Sequence, residues 1–315
     1  MLKVEKIRFG YVPSVDIFRN VTFTIEGGEY IAIGGRNGCG KTTITRLLVG
    51  LEKAREGHMY YNGRDITSMP PSKRGQFIGY VFQQPDRQMF RPTVATEVAF
   101  GPESLGRSKA EVKRIVDEVL ERTGIGHLRE AYPPTLRRGE KQRVAIAGII
   151  AMRPDCIVMD EPTVGVDAQS REHIMSSIKK LRESGATVIY TSHYMHEVEE
   201  ICDRVAIIDK GRLVAEGTQQ ELITMITDSC TVHITTKQCD SETRSRVSRA
   251  VSCLPDVNRV QFSDNMISVD MSISCNDISH VISELVKQNL PVIEISTEKP
   301  DMDAVFLSLT GHEIR

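Results

Sequence analysis

The chain contains the stretch Gly35-Arg36-Asn37-Gly38-Cys39-Gly40-Lys41-Thr42, which reads G-x-x-x-x-G-K-T. The apolar residues 30–33 before it are typical of a buried strand, and residues 43–49 after it are typical of the first turns of a helix. A strand, a glycine-rich loop and a helix N-terminus in this order form a cradle for phosphate groups. This flanking pattern disfavours the alternative, a glycine-rich turn that contains a lysine by chance.

Each part of this loop has a predicted task. Its glycines allow successive backbone N–H groups to point inward at anionic oxygens. Lys41 is expected to reach the β- and γ-phosphates of a nucleotide, and the Thr42 hydroxyl is expected to bind Mg²⁺. Thr43 continues the nucleotide-binding stretch into the helix.

Cys39 lies inside the loop, close to the positive charge of Lys41 and to a helix N-terminus. Because such neighbours favour the thiolate, the sequence predicts a reactive thiol that a small maleimide modifies and that a bound nucleotide with Mg²⁺ protects. The alternative is a shielded, unreactive thiol.

The composition is that of an ordinary soluble protein, with 315 residues, 40% of them apolar, and a formal net charge of −2. This length predicts one large domain with a smaller one, or two domains. The small net charge gives no reason to expect a nucleic-acid partner. The seven cysteines are scattered without a CxxC pair, so we expect reduced thiols rather than a disulfide framework or a zinc site.

No apolar run approaches the roughly 18 residues that a membrane-spanning helix needs. The N-terminus also lacks the apolar core of a signal peptide. We therefore expect an intracellular protein that meets a membrane only through a partner.

Predicted strands and helices alternate up to about residue 225. Strand patterns cover residues 2–9, 17–25, 57–63, 78–82, 156–159 and 187–190, and helical patterns cover residues 108–123, 140–152 and 168–183. Ser108 with Glu111 is a capping signature for one of these helices. The alternation predicts an α/β fold whose parallel or mixed sheet is covered on both faces.

The pattern changes at Thr227-Asp228-Ser229, which we interpret as the junction between a domain of residues 1–228 and one of residues 229–315. The second segment reads strand, helix, strand, strand, helix and strand at residues 231–235, 242–253, 259–262, 266–271, 277–288 and 292–296. This βαββαβ order predicts a small α+β domain of the ferredoxin-like kind. It carries no obvious catalytic group, so we interpret it as a regulatory or dimerisation domain.

Two acids close the predicted strand of residues 156–159. If that strand delivers Asp160 beside the glycine-rich loop, its carboxylate provides a second contact to Mg²⁺, directly or through water. Glu161 is then placed to orient or deprotonate a water aimed at the γ-phosphate. Plain solvation of a strand end is a weak alternative, since Pro162-Thr163 follows at once and a phosphate loop lies upstream.

Further short motifs follow one another along the chain in a fixed order. Gln83 follows a strand, residues 136–143 open a helix, residues 163–167 follow the two acids, and His193 ends a later strand. Together these pieces resemble the ATP-binding cassette of ABC transporters, with its Walker A motif, Q-loop, signature, Walker B motif, D-loop and switch histidine. The resemblance covers about residues 1–225.

The resemblance implies a P-loop NTPase fold with a RecA-like core, an antiparallel β subdomain and an α-helical subdomain at about residues 84–153. It implies ATP and Mg²⁺ as ligands and a head-to-tail dimer. In such a dimer each ATP lies between the Walker A motif of one chain and the signature of the other. ATP closes the dimer and hydrolysis opens it, and the motion reaches the membrane subunits through loops that dock near the Q-loop.

The resemblance also implies roles for single residues. Tyr11 matches the aromatic residue that stacks on adenine, and the alternative is a strand tyrosine that faces the core. Gln83 is expected to sense the γ-phosphate and Mg²⁺ and to couple to the membrane subunit. His193 is expected to bind the γ-phosphate, and Asp167 is expected to communicate across the dimer.

The signature departs from the Leu-Ser-Gly-Gly-Gln pattern of the family. Arg137 and Arg138 stand in place of the serine and the first glycine, Gly139 is kept, and Glu140 replaces the glutamine. The lost hydrogen bond to the partner's ATP costs roughly 1.5–3 kcal/mol, whereas two guanidinium groups are able to pair with phosphate. A homodimer has two altered sites, but a heterodimer with an intact partner signature has one sound site. A heterodimer is therefore favoured, and a homodimer stays open.

Two segments of the sequence indicate different classes of transported substrate. Residues 81–88 and 97–102 are similar to the ATPases of energy-coupling-factor importers, which often use two different ATPases. Residues 302–311 are instead similar to the end of ATPases that serve multidrug or lipid exporters.

The leading hypothesis is an ATP-hydrolysing subunit, peripheral at the cytoplasmic face of the cell membrane. Its expected partners are an integral membrane transporter subunit and a second ABC ATPase. One alternative is a regulatory subunit that binds nucleotide but hardly hydrolyses it. A soluble ABC protein of translation or DNA repair is less favoured, because neither a second cassette nor a long coiled coil is present.

Overall fold

The computed structural model describes residues 1–226, 229–237, 241–263, 265–272, 278–298 and 301–311. These described residues divide into two compact units, Met1–Gln219 and Gln220–Gly311. Thr227 and Asp228 of the predicted junction lie outside the described residues.

The first unit is built from two sheets and the helices around them. Its strands are β1 (Leu2–Phe9), β2 (Phe18–Ile25), β3 (Tyr30–Gly34), β4 (Glu56–Tyr61), β5 (Arg64–Asp65), β6 (Ile78–Val81), β7 (Cys156–Asp160), β8 (Thr187–Ser192), β9 (Arg204–Asp209) and β10 (Arg212–Thr218). Its helices are α1 (Lys41–Val49), α2 (Pro71–Arg74), α3 (Val94–Ser104), α4 (Lys109–Arg122), α5 (Arg138–Met152), α6 (Ala168–Leu181) and α7 (Met195–Ile201).

The central sheet places the predicted motifs at one edge. Its strand order is β10-β9-β3-β8-β7-β6, in which β9, β3, β8, β7 and β6 run parallel and β10 is antiparallel. Asp160 at the end of β7 pairs with Thr191 on β8, and Gly34 at the end of β3 pairs with Ser192. The carboxyl ends of these strands therefore meet at one edge. Every residue of β3, β6, β7 and β8 is buried, as expected for a sheet covered on both faces.

A second, antiparallel sheet has the order β2-β1-β4-β5. Helices α3, α4 and α5 follow one another between β6 and β7, in the region where the sequence predicts a helical subdomain. The capping signature before α4 is confirmed, since the Ser108 N–H donates to Glu111 at 3.0 Å and the Glu111 N–H donates to Ser108 Oγ at 3.3 Å. The predicted α/β architecture is present in this unit.

The far end of α1 is fixed by a buried cation. The Arg74 guanidinium donates to the carbonyls of Leu47 and Leu48, each at 2.7 Å, in the last turn of α1. Cations stabilise the carbonyl end of a helix. The helix that follows the glycine-rich loop is therefore held at the end away from that loop.

Helix α8 (Gln219–Ile226) begins at the last residue of the first unit and continues into the second. The second unit also contains β11 (Ser229–Thr236), α9 (Ser241–Ser252), β12 (Val257–Ser263), β13 (Met266–Ser272), α10 (Ser279–Lys287), β14 (Val292–Glu298) and α11 (Met302–Thr310). Its four strands form an antiparallel sheet in the order β12-β13-β11-β14. Apolar residues of β11 and β13 pack with residues of α9 and α10 in one core. This is the ferredoxin-like arrangement that the βαββαβ pattern predicts.

Within the described part of the chain, every helix falls short of the length and apolarity that a membrane crossing requires.

Candidate functional site

The glycine-rich loop joins β3 to α1 and wraps the start of the helix. Gly40 caps α1 with φ of 111°, and a Cβ atom at this position would lie 2.6 Å from the Phe18 ring, so only glycine fits here. The Lys41 ammonium donates to the carbonyls of Gly35 at 2.8 Å and Arg36 at 3.3 Å. Helix α1 begins at Lys41, two residues earlier than the pattern suggests, because the loop itself supplies the first turn.

Asp160 is the centre of a cluster of hydroxyl groups. Its Oδ1 accepts hydrogen bonds from Thr42 Oγ1 at 3.1 Å and Thr191 Oγ1 at 3.0 Å, and its Oδ2 accepts one from the Tyr80 hydroxyl at 3.2 Å. Burial raises the pKa of Asp160, and these three hydrogen bonds oppose that rise. A carboxylate and a hydroxyl 3.1 Å apart are hard oxygen ligands of the kind that Mg²⁺ prefers.

Three predicted site residues converge on the Glu161 carboxylate. Gln83 Nε2 donates to Glu161 Oε2 at 2.7 Å. The Lys41 ammonium lies 3.3 Å from Oε1, and His193 Nδ1 lies 3.4 Å from the same oxygen. The structure thus brings Lys41, Gln83 and His193, which are far apart in the sequence, to one acid.

The backbone of Glu161 is unusual. Its φ is 45°, in the left-handed region that favours glycine. Its N–H group donates to Thr191 Oγ1 at 2.9 Å, which holds the turn after β7 against the end of β8. With this backbone, the Glu161 carboxylate lies beside the glycine-rich loop, 3.3 Å from the Lys41 ammonium.

Tyr11 is 52% exposed, so the alternative of a core-facing tyrosine is wrong. Its hydroxyl lies 3.5 Å from Thr43 Oγ1, and its ring packs edge-on against Phe9 with centroids 5.0 Å apart. An exposed aromatic ring therefore stands beside the first turn of α1.

The altered signature forms the start of α5. Arg137 caps the helix, and its N–H donates to the Glu140 carboxylate at 2.9 Å. This contact explains why α5 begins at Arg138 rather than at Glu140. Both arginine side chains are exposed. A Cβ atom at Gly165 in the D-loop would lie 3.0 Å from the Arg138 guanidinium, so Arg138 covers the D-loop.

The other signature residue of note is Gly139, which packs against the start of α6. A Cβ atom added there would collide with the Ser170 side chain and lie 3.1 Å from Asp167 Oδ2. Asp167 caps α6 by accepting a hydrogen bond from the Ser170 N–H at 2.9 Å, and this bond lowers the pKa of Asp167. The signature and the D-loop are thus in direct contact in this chain.

Cys39 does not have the predicted environment. Its side chain is buried, and a Cβ atom at Gly35 would collide with its sulfur, which shows how closely the loop encloses it. Burial raises the pKa of the Cys39 thiol, and the opposing effect of Lys41 is smaller. The prediction of an activated thiolate is therefore wrong, because desolvation outweighs the nearby positive charge.

We expect N-ethylmaleimide to modify Cys39 much more slowly than the exposed Cys253, with or without Mg-ATP. Timed labelling followed by peptide mass spectrometry measures both sites in one sample, so Cys253 is the internal control. Equal labelling rates at the two sites would show that the loop opens readily in solution.

Sequence reasoning missed Thr191 and Tyr80, which hold the Asp160 carboxylate. Thr191 stands two residues before His193 on the strand next to β7, so its position was available from strand adjacency. Tyr80 gave no comparable signal, since it reads simply as an apolar strand residue.

Comparisons with known sequences identify the family of this chain. The sequence model of the ABC transporter family matches residues 18–164. The energy-coupling factor transporter ATP-binding protein EcfA of Methanoculleus marisnigri is 40% identical over 225 residues, which cover 71% of this chain and 81% of EcfA. The linearmycin resistance ATP-binding protein LnrL of Bacillus subtilis is 31% identical over 319 residues, which cover 100% of both chains.

Solved structures show the same likeness. The structure of cbiO1 from Clostridium perfringens, part of the ABC transporter complex cbiONQ, matches with a TM-score of 0.64 and 32% identity, over 71% of this chain and 93% of cbiO1. The dimeric, post-hydrolysis structure of the ATP-binding cassette MJ0796 with ADP and Pi matches with a TM-score of 0.63 and 26% identity, over 69% of this chain and 98% of that one.

Proposed function

This chain belongs to the ABC transporter family as an ATP-binding subunit that hydrolyses ATP, and from that premise we propose that it drives substrate movement by a separate membrane subunit. The observation that carries the proposal is the convergence of three motif side chains on the Glu161 carboxylate. The alternative of a regulatory subunit without hydrolysis rests on the altered signature at Arg137 and Arg138, and nothing in the comparisons favours it.

Each residue near Glu161 has a part in the proposed reaction. Glu161 accepts the proton of the water that attacks the γ-phosphate. Lys41 neutralises charge on the β- and γ-phosphates as it develops. His193 donates to the γ-phosphate, and Gln83 reports the state of the site to the helical segment that follows it.

The residues around Asp160 fit Mg²⁺. Thr42, Asp160 and Gln83 would hold the ion. Its other ligands would be water and phosphate oxygens, because Mg²⁺ in proteins is usually bound by only one or two carboxylates. When bound, Mg²⁺ withdraws charge from the phosphate oxygens. Asp160 keeps its orientation through Thr191 and Tyr80 in any case.

The rest of the nucleotide site follows from the loop and Tyr11. Backbone N–H groups from Gly35 to Thr43 surround the phosphates, with Asn37, Gly38 and Gly40 in the loop. Tyr11 stacks on the adenine, because its exposed ring stands beside Thr43 at the start of α1.

An exposed aromatic pair shortly after Gln83 supports a membrane partner. Phe90 is 63% exposed, and its ring packs against Phe100 with centroids 4.7 Å apart. The Arg91 guanidinium lies over both rings. Two adjoining exposed rings offer a partner an apolar surface to cover. We place the chain at the cytoplasmic face of the membrane, held there by a transporter subunit that docks on Phe90 and Phe100.

Co-purification tests this assignment. Affinity-purified chain from its own cells should carry an integral membrane protein, and replacing Phe90 and Phe100 with serine should release it. The identity of that protein also decides between the two classes of relative. EcfA matches 71% of this chain, whereas LnrL, named for linearmycin resistance, matches 100% of it. Purification without any membrane protein would contradict the proposed coupling.

We infer that the second ATPase in the assembly is a different chain. Arg137 and Arg138 stand on the signature face, whereas Lys41, Asp160 and Glu161 are all in place. An intact signature from a partner would complete the site that contains these three residues. The second unit of this chain, with its ferredoxin-like sheet, is proposed to regulate or support that assembly.

Restoring the family's signature tests the heterodimer. Arg137→Ser with Arg138→Gly should raise ATP-driven self-dimerisation and turnover of the isolated chain by roughly tenfold or more, because the lost hydrogen bonds to ATP return. Steady-state phosphate release and light scattering with a non-hydrolysable ATP analogue measure the two effects.

Arg153→Ser is the matched control for this change. It removes an exposed arginine, paired with Glu118 at 3.0 Å, from the other end of α5, so this variant should behave like the unmodified chain. If the unmodified chain alone already forms a tight ATP dimer with full turnover, the two arginines are functional signature residues and the heterodimer is not needed.

A further inference from the structure

Glu197 on α7 is a carboxylate buried behind the switch histidine. It is 1% exposed, and its Oε2 accepts hydrogen bonds from the hydroxyls of Thr163 at 2.8 Å, Tyr190 at 2.8 Å and Ser192 at 3.0 Å. Thr163 stands two residues after Glu161, and Ser192 stands directly before His193. One carboxylate oxygen therefore joins the two loops that carry Glu161 and His193.

The other oxygen of Glu197 faces a cation on α6, the helix that begins at the D-loop. Glu197 Oε1 lies 3.6 Å from Arg171 Nε, just beyond hydrogen-bond distance. Both atoms are buried, and among the described residues neither has a hydrogen-bond partner. Arg171 is one helical turn after Asp167, which caps the same helix.

Arg171 also reaches the switch loop through an aromatic ring. Its guanidinium lies 5.0 Å from the centroid of the Tyr194 ring, within the range of a cation–π contact. The Tyr194 ring in turn lies 4.2 Å from the His193 ring, centroid to centroid. Two routes, one ionic and one aromatic, thus lead from Arg171 to the loop that holds His193.

We propose that Arg171 and Glu197 are positioning residues that couple the D-loop helix to the switch histidine. When a partner chain contacts the D-loop, any movement of α6 moves Arg171 and is passed to His193 through Tyr194 and Glu197. The proposal rests on the function proposed above, in which His193 acts on the γ-phosphate and the D-loop meets the partner.

The cost of burying a charge favours one defined position of the Glu197 carboxylate. A buried carboxylate is costly unless hydrogen bonds and a cation compensate it, so its position is set by the groups around it. Burial, followed by the Glu197 charge, raises the pKa of the Tyr190 phenol well above its ordinary value, so Tyr190 remains a donor to Glu197. A shift of Arg171 changes the only cationic contact of this carboxylate among the described residues.

Three variants separate positioning from simple stabilisation. Glu197→Gln keeps an oxygen for the three hydroxyls, but it replaces the oxygen that faces Arg171 with an amide N–H group. Arg171→Met removes the cation from the other side, and the double variant removes both. Arg182→Met is the matched control, because Arg182 also stacks on a tyrosine, Tyr30 at 4.6 Å, and pairs with an acid, Asp203 at 3.0 Å, but faces neither motif.

Two readouts are made on the full-length chain. Turnover in the assembled ATPase gives kcat and KM, and NMR of selectively labelled histidines in the isolated chain gives the His193 signal, assigned with His193→Gln. We expect Glu197→Gln and Arg171→Met each to lower kcat about tenfold, to leave KM for ATP within roughly twofold, and to shift the His193 signal. The double variant should lose no more than either single one, and Arg182→Met should change neither readout.

Other results overturn the coupling. An unshifted His193 signal, unchanged kcat, or losses that multiply in the double variant each show that the pair does not act on His193 as a unit. A loss of kcat in Arg182→Met of the same size shows a general effect of lost stability. Full turnover in His193→Gln would instead contradict the role proposed for His193, and the NMR shift alone would then decide whether Arg171 and Glu197 position that ring.

Discussion

Replacing Glu161 with glutamine is expected to slow ATP hydrolysis by about 10²–10⁴-fold while ATP still binds, which is the usual effect of removing a positioned base. The amide oxygen still accepts a hydrogen bond from Gln83, so the local structure should persist. What is lost is the group that takes the proton from water. Steady-state phosphate release from the assembled ATPase measures the change, and titration with a fluorescent ATP analogue measures binding.

Glu29→Gln is a matched control for this experiment. The Glu29 side chain is 9% exposed, as that of Glu161 is, and it also pairs with a cation, Arg204, at 3.0 Å. It stands before β3, whereas the glycine-rich loop follows the other end of that strand. Glu29→Gln should keep its turnover, and unchanged turnover in Glu161→Gln would remove Glu161 from the role of base.

Replacing Lys41 with alanine should weaken ATP binding itself, by roughly 10²-fold, because charge-assisted hydrogen bonds to the phosphates contribute about 1.5–3 kcal/mol each. The Lys41 ammonium is buried among the Gly35 and Arg36 carbonyls and the Glu161 carboxylate. Its removal leaves Glu161 without that cation, so thermal unfolding without nucleotide must be measured beside the ATP titration.

The control for this change is Lys179→Ala, which removes an exposed lysine that pairs with Glu200 at 2.6 Å. This variant should bind ATP as the unmodified chain does. If Lys41→Ala binds ATP with unchanged affinity, the phosphates do not lie against the Lys41 ammonium and the proposed nucleotide position is wrong.

The local patterns of the sequence predict most strands and helices, because apolar alternation and capping residues act over short distances. The predicted sheet, covered on both faces, is also confirmed, and its parallel strands bring the end of β7 with Asp160 beside Thr191 on β8. The environment of Cys39 was not predictable in this way. Its burial depends on the fold of the loop around Gly35, so a rule based on neighbouring charge alone gave the wrong sign.

The contacts that converge on Glu161 were also beyond the reach of local sequence patterns. Gln83 is 78 positions away in the chain and His193 is 32 positions away, and their contacts with Glu161 depend on tertiary packing. Glu197 reads in sequence as one more acid in an acidic stretch of helix. Only the positions of Thr163, Tyr190 and Ser192 around it reveal a buried carboxylate.

The left-handed backbone of Glu161 has a consequence for engineering this protein. A residue with a side chain held at φ of 45° costs about 1–3 kcal/mol, a penalty that glycine does not carry. Glycine at position 161 removes this strain, but it also removes the carboxylate beside the buried Lys41 ammonium and the base for the water. A screen that scores heat tolerance alone does not detect the loss of that base. Libraries built for thermostability should therefore keep Glu161 unchanged, or each variant should also be selected for ATP hydrolysis.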